Sequence, residues 1–447
     1  MERRRSLRST RTPPDRRPAG AFEEIASQGI VGPRPPRGGD VPPWRRRLGR
    51  RASFAATAFA FAVAMLGTTL PVPLNLLYRQ RFGLSERMAT VIYATCASGV
   101  IAVLLLFGHL SDQIGRRRVL LAGLVASALS AGCELGRRRL PLLLVGRILS
   151  GLSAGAFTGA ATATLVDLAP PDRCARTTLV ATFANVGGLG CGPLLVRRPV
   201  RVAGSPLRLT FWVDLARLVP AAIGIWAMRE PVAARGRPRP RLEAPRVPAE
   251  MRATFVEALL AGGAGLVVLG LFTAVTPAFL ALQLGVSSRA VGAGVAFAVF
   301  AASTVGQAAL QRVPARIALP AGCLALIAGM GSLALGLALP TLALVVLGGA
   351  IAGLGHGLAF RAGLAGVTAS APADRRGEVA SSFFVVMSVA ISLPVIGVGV
   401  PAQAAGLRPA GLAFAGVVTT LSALALVPLW QGRGHEERAE AFERLAA

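Results

Sequence analysis

The chain has 447 residues, 53% of them hydrophobic and 15% charged, and a formal net charge of +27 carried by arginine alone, since no lysine occurs. A soluble domain carries roughly a quarter charged residues; here the charges bunch between apolar runs of about 20 residues, each long enough to cross a ~30 Å hydrocarbon layer as a helix. This excludes a soluble protein, and basic residues placed in a tail and in loops set topology rather than meet nucleic acid.

Residues 1–51 hold fourteen arginines with several prolines and glycines, and read as a disordered basic cytoplasmic tail. Arg50-Arg51 before an apolar stretch faintly matches a twin-arginine export signal, but eleven further apolar runs follow it. Apolar runs and breakers predict spans 1 to 6 at 54–74, 88–110, 118–136, 140–166, 176–196 and 208–228. Spans 7 to 12 are predicted at 254–282, 290–311, 317–339, 341–366, 378–400 and 409–430. The fold class is therefore all-α integral membrane, with twelve transmembrane helices as two pseudo-symmetric six-helix bundles. The first bundle covers 52–228 and the second 253–431, joined by a cytoplasmic linker at 229–252 whose Arg-Pro-Arg-Pro-Arg at 237–241 stays extended; 432–447 is a cytoplasmic C-terminal tail.

Arginine placement favours both termini inside. The halves also repeat: Gly83-Leu84-Ser85 returns as Gly285-Val286-Ser287, and Gly151-Leu152 as Gly353-Leu354. Ala169-Pro170-Pro171-Asp172-Arg173 returns as Ala371-Pro372-Ala373-Asp374-Arg375. An ordered series of matches at one shift indicates parallel repeats about an axis along the membrane normal.

Between spans 2 and 3 the chain reads Gly108-His-Leu110-Ser-Asp112-Gln-Ile-Gly115-Arg116-Arg117-Arg118. This resembles the signature loop of the major facilitator superfamily, with every defining position filled. The resemblance implies a conformational switch in which Asp112 bridges the halves, its expected partner here being the start of span 11 near Arg376 and Gly377. The second half has no full copy: Gly306 to Gly322 keeps Arg312 and Arg316 but no acid between them.

In span 4, Arg147-Ile-Leu-Ser-Gly151-Leu-Ser-Ala-Gly155 resembles the family's R-x-x-x-G-x-x-x-G stretch, which implies a role for Arg147 in proton coupling or conformational control; snorkelling to the outer surface is the plainer alternative. In span 5, Gly188-Leu-Gly190-Cys-Gly192-Pro193 resembles the antiporter segment G-x-x-x-G-P, although the usual glycine pair after it is replaced by Leu194, Leu195 and Val196. Leu66 to Asn75, with Pro71 and Pro73, resembles a segment typical of twelve-helix drug–proton antiporters.

A proton-driven exporter needs a titratable group of alternating exposure. No carboxylate lies between Phe54 and Asn75, so the coupling candidates are Arg147, Asp214, Asp167 and Glu257, with Arg217 three residues from Asp214 as a possible ion-pair partner. Thr158, Phe183, Asn185, Gln307, His356 and Ser388 are candidate substrate-cavity residues, with Arg361, Phe383 and Phe384 near them. An aromatic, weakly polar cavity suits lipophilic organic molecules better than sugars.

The five scattered cysteines and three histidines supply no metal or disulfide pattern, so no cofactor is expected beyond a proton gradient as energy source. The expected partners are a small-molecule substrate and the lipid bilayer, with no nucleic acid, and the expected assembly is a monomer in the bacterial cytoplasmic membrane. The function these features favour is proton-coupled export of small lipophilic compounds by alternating access. A metabolite or sugar importer on the same fold, and a non-transporting sensor or scaffold, remain as alternatives. An enzyme is not expected for want of a clustered catalytic set, and without lysine there is no P-loop.

Overall fold

The computed structural model describes residues 48–71, 86–107, 114–136, 140–170, 174–195, 206–231, 247, 249–274, 276–286, 288–309, 313–371, 379, 382–389 and 406–446. Among these residues there is helix and no strand, as a bilayer demands of any chain that does not close a barrel. Spans 1, 2, 3 and 4 are Arg50–Thr69, Glu86–Phe107, Arg116–Leu135 and Leu140–Leu168. Span 5 runs as Cys174–Thr182, a π-helical turn Phe183–Gly187 and Gly188–Leu195, and span 6 is Pro206–Ala227. Spans 7 to 10 are Arg252–Ala274, Arg289–Ala309, Ala315–Ala338 and Leu342–Ser370. A short helix, Thr276–Gln283, follows span 7. Residues 382–389 are a helical part of span 11, and Leu407–Ala446 contains span 12.

Ten helices among the described residues are long and apolar enough to cross a membrane by length and composition. Two ends differ from expectation. Span 1 starts at Arg50, where Arg50 donates to the last carbonyls of span 4 and Ser53 Oγ accepts from the N–H of Arg229, just past span 6. The last helix continues without a break through Pro428 to Ala446, where a separate tail was expected.

The pairing of spans repeats. In the first half, span 4 packs on spans 1, 2 and 3, and span 6 on spans 1 and 3; in the second, span 10 packs on 7, 8 and 9, and span 12 on 7 and 9. The register repeats as well. A methyl group built on Gly151 or Gly155 of span 4 would meet the backbone of Cys96 or Val100 of span 2; on Gly353 or Gly357 of span 10 it would meet that of Val299 or Ser303 of span 8. Small residues therefore let the backbones approach, which is how helices associate where hydrophobicity cannot drive them together. Outward-facing side chains such as Trp212, Ile223 and Trp226 are 51–60% exposed, a surface suited to lipid. Among the described residues, the halves meet chiefly where span 5 packs on span 8.

Candidate functional site

Between the repeats lies a cavity of about 230 Å3, walled by spans 1, 2, 4 and 5 on one side and by spans 7, 8, 10 and 11 on the other. Helical periodicity builds its wall. Arg147, Ala154 and Thr158 form one stripe of span 4, at steps of seven and four residues, and Cys96, Val100 and Leu104 one of span 2, at steps of four. Most lining side chains are apolar. Phe360 and Phe384 belong to an aromatic cluster, with ring centroids 6.1 Å apart, backed by fully buried Phe383 at 6.0 Å from Phe360.

The polar groups are few and fixed. Arg147 is 5% exposed; its Nη1 donates to the carbonyl of Thr68 at 3.1 Å, and its Nε has no partner. His356 is 2% exposed, with Nδ1 2.8 Å from Ser303 Oγ, its ring 5.4 Å from that of Phe360, and Nε2 unpartnered. Gln307 is equally enclosed, its Nε2 unpartnered while its backbone carbonyl accepts from Arg361 Nη1 at 2.9 Å. Thr158 and Ser388 donate to the carbonyls one turn back in their own helices, Ala154 and Phe384, at 2.8 Å each.

Five of the six expected cavity residues (Thr158, Asn185, Gln307, His356 and Ser388) lie on this wall. Phe183 does not: it is 55% exposed, and two residues along a helix turns a side chain to roughly the opposite face from Asn185. Asn185 and Val186 belong to the π-helical turn, a local widening that shifts the register of the residues after it. The antiporter-like segment uses both faces of span 5. Gly188 and Gly192 pack on span 1, where Thr69 Oγ1 donates to Leu189 O at 2.6 Å, whereas Gly190 faces Phe300 of span 8. Pro193 is buried within that helix.

Of the coupling candidates, only Arg147 lines the cavity. Asp214 is 3% exposed but packs behind span 1, its carboxylate beside Gly67 and 3.6 Å from Arg217 Nη2. Glu257 is half-buried near the start of span 7, away from the wall. Asp167, at the end of span 4, forms an ion pair with Arg116 at 3.2 Å. Gly108, Asp112, Arg376 and Gly377 lie outside the described residues.

The end of the signature loop sits in a polar clamp. Gly115 has φ +99°, a conformation that L side chains rarely adopt, and the Glu230 carboxylate lies against it. Glu230 accepts from the backbone N–H groups of Arg116 at 2.8 Å and Arg117 at 3.1 Å, capping span 3 where the helix dipole favours an anion. The Arg117 side chain reaches the carbonyl of Trp226 at 3.3 Å. Arg50 caps the other polarity: it donates to the carbonyls of Leu168 and Ala169 at the end of span 4, at 2.8 and 2.6 Å. Sequence reasoning missed Glu230, which looks like the first acid of a linker, and Arg50, which looks like tail. It also passed over Glu134, 1% exposed in span 3 and packed by Gly146 of span 4, although an acid inside an apolar run is a readable signal.

Two repeated helical bundles around a central cavity define a polytopic membrane transporter. The chain matches the model of the Major Facilitator Superfamily over residues 52–395, and it belongs to that family. A comparison with curated protein sequences finds no match. Among solved structures it is similar to the human organic anion transporter MFSD10 (TETRAN), with 18% identity, a TM-score of 0.64, and coverage of 85% of this chain and 100% of that one. It is also similar to a bacterial homologue of the human lysosomal transporter Spinster in its inward-facing and unoccupied conformation, with 17% identity, a TM-score of 0.66, and coverage of 87% and 98%. The same homologue in its inward-facing and occupied conformation gives 15%, 0.65, 84% and 96%. At these identities the likeness is one of fold.

Proposed function

We propose that this transporter is a proton-coupled exporter of small lipophilic compounds, working by alternating access. One observation carries the reading: a mainly apolar cavity, walled by both repeats, in which a few polar groups are buried without protein partners. Such a site receives an apolar body and orients it by a few polar contacts. The full signature loop and the glycine segment of span 5 support a rocking of one repeat against the other. The arginine distribution supports a bacterial inner-membrane protein with both termini in the cytoplasm.

Coupling requires a titratable group that meets the path. His356 is on the wall and Asp214 is not, so His356 takes precedence over Asp214 as the proton-carrying group in this reading. The test is efflux of neutral, cationic and anionic lipophilic dyes from cells lacking their main exporters, with wild type beside Asp112→Asn. Efflux by the wild type that a protonophore stops and the equally expressed variant lacks supports the reading. No efflux of any dye, together with proton uptake stimulated by a sugar or metabolite, replaces it with an importer.

A further inference from the structure

The positive charge on this cavity wall is not matched by an anion among the described residues that line it. Among the described residues on the wall there is no carboxylate, and no described carboxylate lies within ion-pair distance of Arg147. A guanidinium offers donors only and keeps its charge under all ordinary conditions. Buried arginine in a span is otherwise found paired, because an isolated charge there is costly. The tie to Thr68 O holds the side chain in place but does not neutralise it, and Nε is left with no partner. Gln307 Nε2 is a second orphaned donor on the same wall, and His356 Nε2 a third orphaned nitrogen. The hydroxyls of Thr158 and Ser388 give their protons to their own helices.

We infer that the cargo is an amphipathic organic anion, its acidic head received by Arg147 and its apolar body by the aromatic wall of Phe360 and Phe384. The inference rests on the transport reading of the same cavity and names the class of compound it takes. The order of groups fits such a molecule. Arg147 lies seven residues from the start of span 4, about 10 Å along it. His356 lies fourteen residues from the start of span 10, which runs in the same direction, about 21 Å along it. The charge thus stands at one end of the cavity, about 10 Å from the aromatic cluster, with Gln307 beyond as a donor to an acceptor on the body. A cationic compound finds a like charge and no carboxylate on the described wall, which selects against it.

The test uses the purified full chain in nanodiscs and three matched probes: 1-pyrenebutanoate, its methyl ester, and the trimethylammonium analogue of the same length. A charge-assisted bond to a desolvated guanidinium gives the carboxylate an affinity on the order of tenfold to a hundredfold above the ester. Arg147→Gln abolishes that preference and leaves ester binding, whereas Arg147→Lys keeps part of it. Equal or tighter binding of the ester or the ammonium probe overturns the inference, as does an undiminished preference in folded Arg147→Gln, or failure of all three probes to bind. Competition by palmitate assigns the head group to a fatty-acyl source and competition by 1-naphthoate to a compact acid; competition by neither overturns the inference. Transport in proteoliposomes separates the two readings. Anion binding without transport sinks the exporter and keeps the anion site, whereas transport of ester and ammonium alone does the reverse.

Discussion

Glu230→Ala destabilises this transporter more than Asp167→Asn does, although Asp167 makes the more conventional ion pair. The Arg116–Asp167 pair is 3.2 Å long, but its side chains are 12% and 32% exposed, and partly solvated pairs of this kind contribute about 0.2–1 kcal/mol. Glu230 instead accepts two charge-assisted bonds from backbone N–H groups of span 3 at 2.8 and 3.1 Å. The N-cap residue itself, Gly115, offers no side-chain acceptor. Taking about 1 kcal/mol for each bond, at the low end because Glu230 is half-buried, the loss is about 2 kcal/mol. With an unfolding entropy of roughly 2.1 cal/mol/K per residue, 447 residues convert that loss to a fall of about 2 °C in Tm. Glu230→Gln keeps an acceptor oxygen without the charge and falls between. With Cys133, Cys174 and Cys191 replaced by serine in every variant, buried Cys96 and Cys323 remain, so a thiol-reactive fluorophore reports unfolding during a thermal ramp run at one scan rate. An Asp167→Asn shift equal to or larger than that of Glu230→Ala refutes the ranking of cap over ion pair.

Three further outcomes follow from the same geometry. Gly151→Val and Gly353→Val each drive a side chain into a facing backbone and cost several kcal/mol, whereas Gly159→Val, with open space around it, is tolerated; the monodisperse fraction in size-exclusion chromatography separates them. Arg217→Leu strands the carboxylate of Asp214 in a site where it is 3% exposed, so the single variant is less stable than Asp214→Asn/Arg217→Leu by about 1–3 kcal/mol; the same thermal ramp ranks them. Ser303→Ala removes the partner of His356 Nδ1 at a cost of about 1–3 kcal/mol and lets the ring turn, so the KM of a transported probe changes more than in Ser422→Ala, which removes a fully buried hydroxyl that has no hydrogen-bond partner.

Much of the fold was legible because span length and repeat spacing are one-dimensional signals. Span 3, expected at 118–136, is Arg116–Leu135, and span 10, expected to start at 341, starts at Leu342. The Gly151 and Gly353 match even carries the inter-helical register, since a small residue marks the place where two backbones touch. Facing is harder to read. Asp214 looks like a coupling group because it is an acid in a span, but only packing shows that it lies behind span 1, and a two-residue step put Phe183 on the wrong face. Glu230 lies 114 residues from Arg116, and Arg50 118 from Leu168. No local pattern announces such pairings, because each partner satisfies a backbone group rather than a side chain of opposite charge.

The end of the first bundle and the cavity wall treat their polar groups in opposite ways. At the end of the first bundle, Arg50, Arg116, Arg117, Asp167 and Glu230 meet carbonyls, N–H groups or each other, so spans 3, 4 and 6 are tied there at several points. In the cavity the reverse holds: Arg147 and His356 are each held through one nitrogen and bare at another, and Gln307 Nε2 has no partner. Buried polar atoms left unpaired are costly, so three such nitrogens gathered on one cavity wall mark a place that something else completes. The clamp ties the end of the first bundle together, and in the transport cycle proposed above the bare nitrogens would supply the differential contacts by which a cargo shifts the balance between states. A ligand shifts such a balance only by the difference in what it meets in each. Arg147 and His356 stand on opposite repeats, so a cargo that bridges them feels that difference directly.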